Sequence, residues 1–165
     1  MDHKEIGLLE AIEIAMEAEL KAHQFYRDAI AKITNARGKN LLQQLADFEH
    51  NHYDKLTDLK KSLAKQGKFI EYEGTQFKPY KSAVPAEVAG KIEPDKENVL
   101  NILSLAIEAE TKAAANYQKL AQETADPLGK DMFKKLSEEE TLHRRILSDE
   151  FYQLSNRGEI WFWGD

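Results

Sequence analysis

Cysteine is absent from all 165 residues. That excludes a disulfide framework and any thiolate metal site. Basic charge is short as well: 23 lysines and arginines stand against 29 aspartates and glutamates, a net charge of −6. Such a balance offers no basic face to nucleic acid. No apolar run approaches membrane-spanning length, and the opening Met-Asp-His-Lys-Glu lacks the apolar region of a signal peptide. The expectation is a soluble, cytoplasmic chain with neither nucleic acid nor membrane as partner. Proline is scarce too: of four, Pro79, Pro85 and Pro94 fall in one segment. The length suits one domain with a substantial core.

What the chain does contain is helical periodicity. Leu8, Ile12, Ala15, Glu19, Ala22, Tyr26 and Ile30 fall on one face of a helix expected over about residues 3–33, with Glu19 the lone charge among them. Asn35 is placed to cap a second helix over about 37–66, which stops before Gly67. A third helix is expected from a cap at Asp95 to about Thr124, and a fourth from Asp126-Pro127 to near Asn156. Residues 67–94 carry no helical period. A loop that long fits a bundle whose second and third helices run parallel, so that the connection crosses its full length. Phe69, Tyr72, Phe77 and Tyr80 in that segment are expected to pack it onto the bundle. The fold class is therefore all-α, a ferritin-like four-helix bundle with one long crossover.

One pattern organises these helices. Leu136 to Leu147 carries Glu140 and His143, three positions apart and hence on one helical face together with Leu136 and Leu147. Glu49 and His52 form the same unit beside Leu42, Leu45, Leu56 and Leu59. The offset between the units is 91 positions, and it also relates Glu19 to Glu110, Ala22 to Ala113, Tyr26 to Tyr117 and Gly38-Lys39 to Gly129-Lys130. Residues 4–60 align with 95–151 without a gap, so the chain is a duplicated helical hairpin. Each half offers one glutamate from its first helix and a Glu-x-x-His from its second. A single Glu-x-x-His in a charged helix carries little weight. Six positions related by one offset, all on apolar faces, outweigh a reading as salt bridges or solvated charge, because a glutamate facing a core is costly unless paired or metal-bound. Such a set is the one used by di-iron and di-manganese carboxylate sites in four-helix bundles.

The metal ligands expected are Glu19, Glu49, His52, Glu110, Glu140 and His143. Four carboxylates neutralise two divalent cations, and oxygen with imidazole suits iron or manganese. Carboxylates can bridge metals about 3.5–4 Å apart. Ala15, Ala22, Ala106 and Ala113 leave room between the helices. Tyr26 and Tyr117, seven positions after the single glutamates, can reach the site as hydrogen-bond donors to the ligands or serve as ordinary core. His3, His23 and His50 have no repeat partner that supports ligation, and Glu17 and Glu108 are expected in solvent.

At these residues the sequence resembles the rubrerythrin branch of the ferritin-like superfamily. The shared motif is Glu-x-x-Ala-x-x-x-Tyr followed after about thirty residues by Glu-x-x-His, twice; here Glu19 to Tyr26 with Glu49 to His52, then Glu110 to Tyr117 with Glu140 to His143. The resemblance implies two iron ions bridged by Glu49 and Glu140, with Glu19 and Glu110 terminal and one histidine on each. It implies a peroxidase or oxidase that reduces hydrogen peroxide, or oxidises ferrous iron with peroxide or dioxygen. Two departures stand out. Without cysteine there is no rubredoxin-like centre in the chain, so electrons are expected from an external donor such as a rubredoxin-like protein. Rubrerythrins also carry an extra glutamate where Ala113 stands, which puts redox-linked movement of one iron in question. A smaller asymmetry lies at Glu139, whose counterpart is Phe48. In related bacterioferritins an acidic residue there orients the histidine of the opposite hairpin, a role open to Glu139 towards His52.

The alternatives from other classes are a dimanganese catalase, an iron-binding or storage protein, and a metal-free helical interaction module. The bundle is expected over residues 1–155 and an aromatic tail over 156–165, with Trp161-Phe162-Trp163 packing on the bundle or on a partner. A homodimer is expected.

Overall fold

The computed structural model describes residues 3–75 and 91–162, the side chains of 3–6 and of Lys91 excepted. Four helices account for most of it: α1 (His3–Ile30), α2 (Ala36–Gln66), α3 (Lys96–Glu123) and α4 (Pro127–Arg157). At 28 to 31 residues each, they are about 42–46 Å long. Among the described residues no helix is long and apolar enough to cross a membrane.

The second helix of each hairpin starts and stops by the same chemistry. Asn35 accepts hydrogen bonds from the backbone N–H groups of Arg37 and Gly38, and Asp126 from those of Leu128 and Gly129. Gly67 and Gly158 end α2 and α4 in the left-handed conformation, at φ 66° and 70°, where a Cβ is penalised. Both pairs keep the 91-residue offset, so the duplication reaches the helix ends. Two expectations need correction. The first helix ends at Ile30, short of Ile33. Asp95 stands at the N-cap of α3 without making a side-chain capping bond.

The helices pack as two antiparallel hairpins, α1 with α2 and α3 with α4. Helices of different hairpins stand farther apart and meet through long side chains. The connection between hairpins can be followed at both ends. Phe69 lies on Gly129 at the start of α4, and Tyr72 and Thr75 reach Glu139 further along it. The segment then reappears beyond the other end of α4, where β1 (Lys91–Ile92) pairs antiparallel with β2 (Glu159–Ile160). It therefore spans the bundle, and α2 and α3 run parallel. This small strand pair had no signal in the sequence. Phe77 and Tyr80 lie outside the described residues.

Residues after α4 fold back onto the bundle. Trp161 is 1% exposed and its ring covers Gly38. Its backbone N–H donates to Glu150 Oε2 at 2.6 Å, and its backbone carbonyl accepts from the Arg37 guanidinium at 3.1 Å. Phe69 after α2 covers Gly129, and Trp161 after α4 covers Gly38, so each hairpin's exit closes over the other's turn. Trp163 lies outside the described residues.

The core has two apolar halves. One holds Leu42, Leu45, Leu103, Leu147, Leu154 and Trp161. The other holds Ile12, Leu56, Leu59, Met132, Phe133 and Leu136. Glu19, Glu49, Glu110 and Glu140 each fall in sequence between a residue of one half and a residue of the other. A layer of charge thus lies across the middle of the bundle.

Candidate metal centre

All six expected ligands are brought together in that layer. Glu19 and Glu110 are 2% exposed, Glu49 and Glu140 1%, His52 and His143 0%. They form two overlapping groups: Glu19, Glu49, His52 and Glu140, and Glu49, Glu110, Glu140 and His143. Within each group one nitrogen or oxygen per residue lies within 4.8 Å of the others. Glu49 and Glu140 belong to both.

The distances show convergence on the imidazoles. His52 Nδ1 lies 2.7 Å from Glu140 Oε1, 3.4 Å from Glu19 Oε1 and 3.8 Å from Glu49 Oε2. His143 Nδ1 lies 3.2 Å from Glu49 Oε1, 3.6 Å from Glu110 Oε1 and 4.0 Å from Glu140 Oε2. The two rings are nearly parallel, 13° apart with centroids at 6.3 Å.

So many buried carboxylates cannot all carry charge without cations among them. Burial and then the charges of Glu110, Glu140 and Glu19 push the Glu49 carboxyl well up. Burial, followed by Glu110 and Glu19, does the same to Glu140. Glu110 goes the other way: burial would raise it, but contacts with Glu140, His143 and the Tyr26 hydroxyl hold it at about 2. Glu19 is lowered too, burial being outweighed by Glu49, His52 and Tyr117. Burial would lower His52, yet Glu19, Glu139 and Glu49 raise it well above its ordinary value.

Each tyrosine serves the opposite hairpin. The Tyr26 hydroxyl donates to Glu110 Oε1 at 2.6 Å, and Tyr117 donates to Glu19 Oε1 at 2.5 Å. These bonds fix one oxygen of each carboxylate. The other oxygens, Glu19 Oε2 and Glu110 Oε2, have no hydrogen-bond partner, and neither oxygen of Glu140 has one. Buried carboxylate oxygens are seldom left so. His143 Nδ1 hydrogen-bonds Glu49 Oε1 at 3.2 Å, but the other oxygen and imidazole donors converge largely without satisfying one another, which fits a pair of divalent cations, and no thiolate is present to favour a softer metal.

Glu139 lies beside the cluster with its Oε2 3.2 Å from His52 Nε2, off the ideal line of an N–H···O bond. At the repeat-related position Phe48 sets its ring edge-on to His143, at 87° and 4.7 Å. Tyr72 packs as expected, and its hydroxyl also donates to Glu139 Oε2 at 2.7 Å. The Thr75 N–H donates to Glu139 Oε1 at 2.5 Å. Neither Tyr72 nor Thr75 carried a sequence signal for this, since neither has periodicity or a repeat partner.

Among the described side chains, His23, His50, Glu17 and Glu108 stay outside the cluster. His23 donates from Nδ1 to the Ala46 carbonyl at 2.7 Å. His50 is exposed and lies 3.4 Å from Asp54. The His3 side chain is outside the described residues. Glu17 and Glu108 are exposed, Glu108 pairing with Lys112 at 3.0 Å.

Comparison with known proteins agrees with this arrangement. The family model described as Rubrerythrin matches residues 3–60 and 68–159. A hypothetical protein from Pyrococcus furiosus shares the fold, with a TM-score of 0.70, 23% identity and 90% of each chain covered. No curated protein matches. With the family pattern running through both hairpins and their buried glutamates and histidines, the chain belongs to the rubrerythrin family.

Proposed function

We propose that the cluster holds two iron ions and that the chain is a non-haem di-iron oxidoreductase. In this reading it reduces hydrogen peroxide, or oxidises ferrous iron with peroxide or dioxygen. The observation that carries this is the pair of overlapping groups sharing Glu49 and Glu140, buried, with carboxylate oxygens that lack hydrogen-bond partners. Glu49 and Glu140 would be shared by both ions. Glu19 and His52 would complete one position, Glu110 and His143 the other. Four carboxylates then balance two divalent charges.

When bound, a pair of iron ions supplies the electrons that split an O–O bond. The chain supplies the rest. Its glutamates and histidines would fix the ligand geometry in a buried layer between two apolar halves. Tyr26 and Tyr117 hold their protons on the hydroxyl oxygens, because burial and then the neighbouring carboxylates push both far above the ordinary tyrosine range. They therefore remain hydrogen-bond donors to Glu110 and Glu19 at every physiological pH. Reduction of one peroxide to two waters takes two electrons and two protons. These 165 residues hold no cysteine for a rubredoxin-like centre, and in this reading the electrons come from a donor outside the bundle, such as a rubredoxin-like protein. Ala113 offers no carboxylate to replace a histidine, so His52 and His143 would stay ligands in both oxidation states.

Anaerobic titration of metal-stripped protein with ferrous iron tests the centre. Saturation near two equivalents is expected, and Glu49→Ala combined with Glu140→Ala should abolish paired binding. Saturation at one, or no effect of the double substitution, would remove the assignment. Stopped-flow oxidation of the loaded protein should be faster with peroxide than with dioxygen. The reverse order would favour an oxidase or iron-storage role. Donor-free oxygen evolution from peroxide by manganese-loaded protein would favour a catalase. A homodimer is expected from the family, although Trp161, buried in its own bundle, gives no reason for one.

A further inference from the structure

Glu139, just outside the six candidate ligands, has three partners. Its Oε2 accepts from the Tyr72 hydroxyl at 2.7 Å and faces His52 Nε2 at 3.2 Å, while its Oε1 accepts from the Thr75 backbone at 2.5 Å. The same stretch is held by Lys135, which donates to the Tyr72 carbonyl at 3.0 Å, and by Asn51, which donates to Thr75 Oγ1 at 2.5 Å. One carboxylate thus touches both the imidazole of the central cluster and the start of the crossover.

Two physical consequences meet here. A carboxylate behind an imidazole fixes the ring's orientation and raises the basicity of its other nitrogen, here the Nδ1 that faces the glutamates. Residues 71–75, by contrast, have neither helix nor strand, so their placement depends on a few anchors, and Glu139 supplies two of them. A group that stabilises both a bound metal and a docked segment couples them, and the coupling acts in both directions.

Orientation of His52 by an acidic residue at this place is what the resemblance already implies; we propose that Glu139, as a positioning residue, further ties occupancy of the metal position formed by Glu19, Glu49, His52 and Glu140 to docking of residues 72–75 on the bundle. The proposal rests on the metal-centre reading above. It assigns the crossover a share in metal binding, through a residue that is not a ligand.

The test uses the full chain, stripped of metal and titrated with cobalt(II), together with hydrogen exchange resolved at Thr75. The wild type should bind two ions, and loading should slow exchange of the Thr75 amide. Glu139→Gln, nearly isosteric, should weaken one of the two binding steps by about 10- to 100-fold and leave the other unchanged. Loading should no longer protect Thr75 in that variant. Tyr72→Phe should weaken the same step by less. If Glu139→Gln binds both ions as the wild type does, or if Thr75 exchange in the wild type ignores the metal, the proposal is overturned while the metal pair stands. If the wild type binds no pair, the metal-centre reading fails and the proposal with it.

Discussion

Replacing Tyr26 by phenylalanine removes a single oxygen from the middle of the bundle, and its cost can be worked out. The Tyr26 side chain is 1% exposed and Glu110 2%, and their oxygens are 2.6 Å apart. Glu110 is ionised, its carboxyl held at about 2 against burial by Glu140, His143 and this hydroxyl. Its second oxygen already lacks a partner. A hydrogen bond to a buried charge contributes about 1.5–3 kcal/mol, and the ring itself is retained, so no cavity larger than the lost oxygen opens. For a chain of this length each kcal/mol corresponds to about 2–4 °C. Metal-stripped Tyr26→Phe should therefore melt about 3–12 °C below the metal-stripped wild type. With metal bound, the charge on Glu110 is shared with the cation, and the loss should shrink towards that of a neutral hydrogen bond, about 1 kcal/mol. Differential scanning calorimetry of both proteins, each stripped and loaded, measures the four values. Tyr117→Phe should reproduce the pattern through Glu19. An unchanged melting temperature in the stripped variant, or a larger loss in the loaded one, would refute the reasoning.

The raised carboxyls of Glu49 and Glu140 and the raised His52 give the stripped protein stability that is present below their ordinary pKa values and lost as pH rises through the raised ones. The lowered Glu19 and Glu110 contribute stability present above the ordinary carboxyl range and lost as pH falls through their folded values. Metal competes with the protons on Glu49, Glu140 and His52, so the melting increase on adding manganese should grow from weakly acidic to neutral pH; a shift independent of pH would contradict this. Gly129→Ala would set a Cβ 2.5 Å from the Phe69 ring and 2.8 Å from Thr124 Cγ2. Overpacking of that kind costs about 1–3 kcal/mol, and denaturant melts should show the midpoint falling with the slope unchanged. Gly38→Ala, against Trp161, should behave alike.

Much of this molecule is legible in one dimension because its chemistry repeats. A helix converts spacing into a face, so Glu49 with His52 and Glu140 with His143 had to share one. The 91-residue offset then identified which charges belong together, and Asn35, Asp126 and Gly67 marked helix ends by local backbone chemistry alone. The absence of cysteine removed thiolate from any donor set. Contacts across the bundle are another matter, because they depend on how two hairpins stand against each other. That Tyr26 bonds Glu110 rather than a group of its own hairpin, and that Glu49 and Glu140 lie in both candidate groups, follows from helix packing. The reach of Tyr72 and Thr75 to Glu139, and the folding of Trp161 onto Gly38 beside Arg37, join residues 64, 67 and over 120 positions apart through an irregular backbone. No periodicity constrains such a backbone, so its partners are chosen by the space the assembled helices leave, and only the tertiary structure decides them.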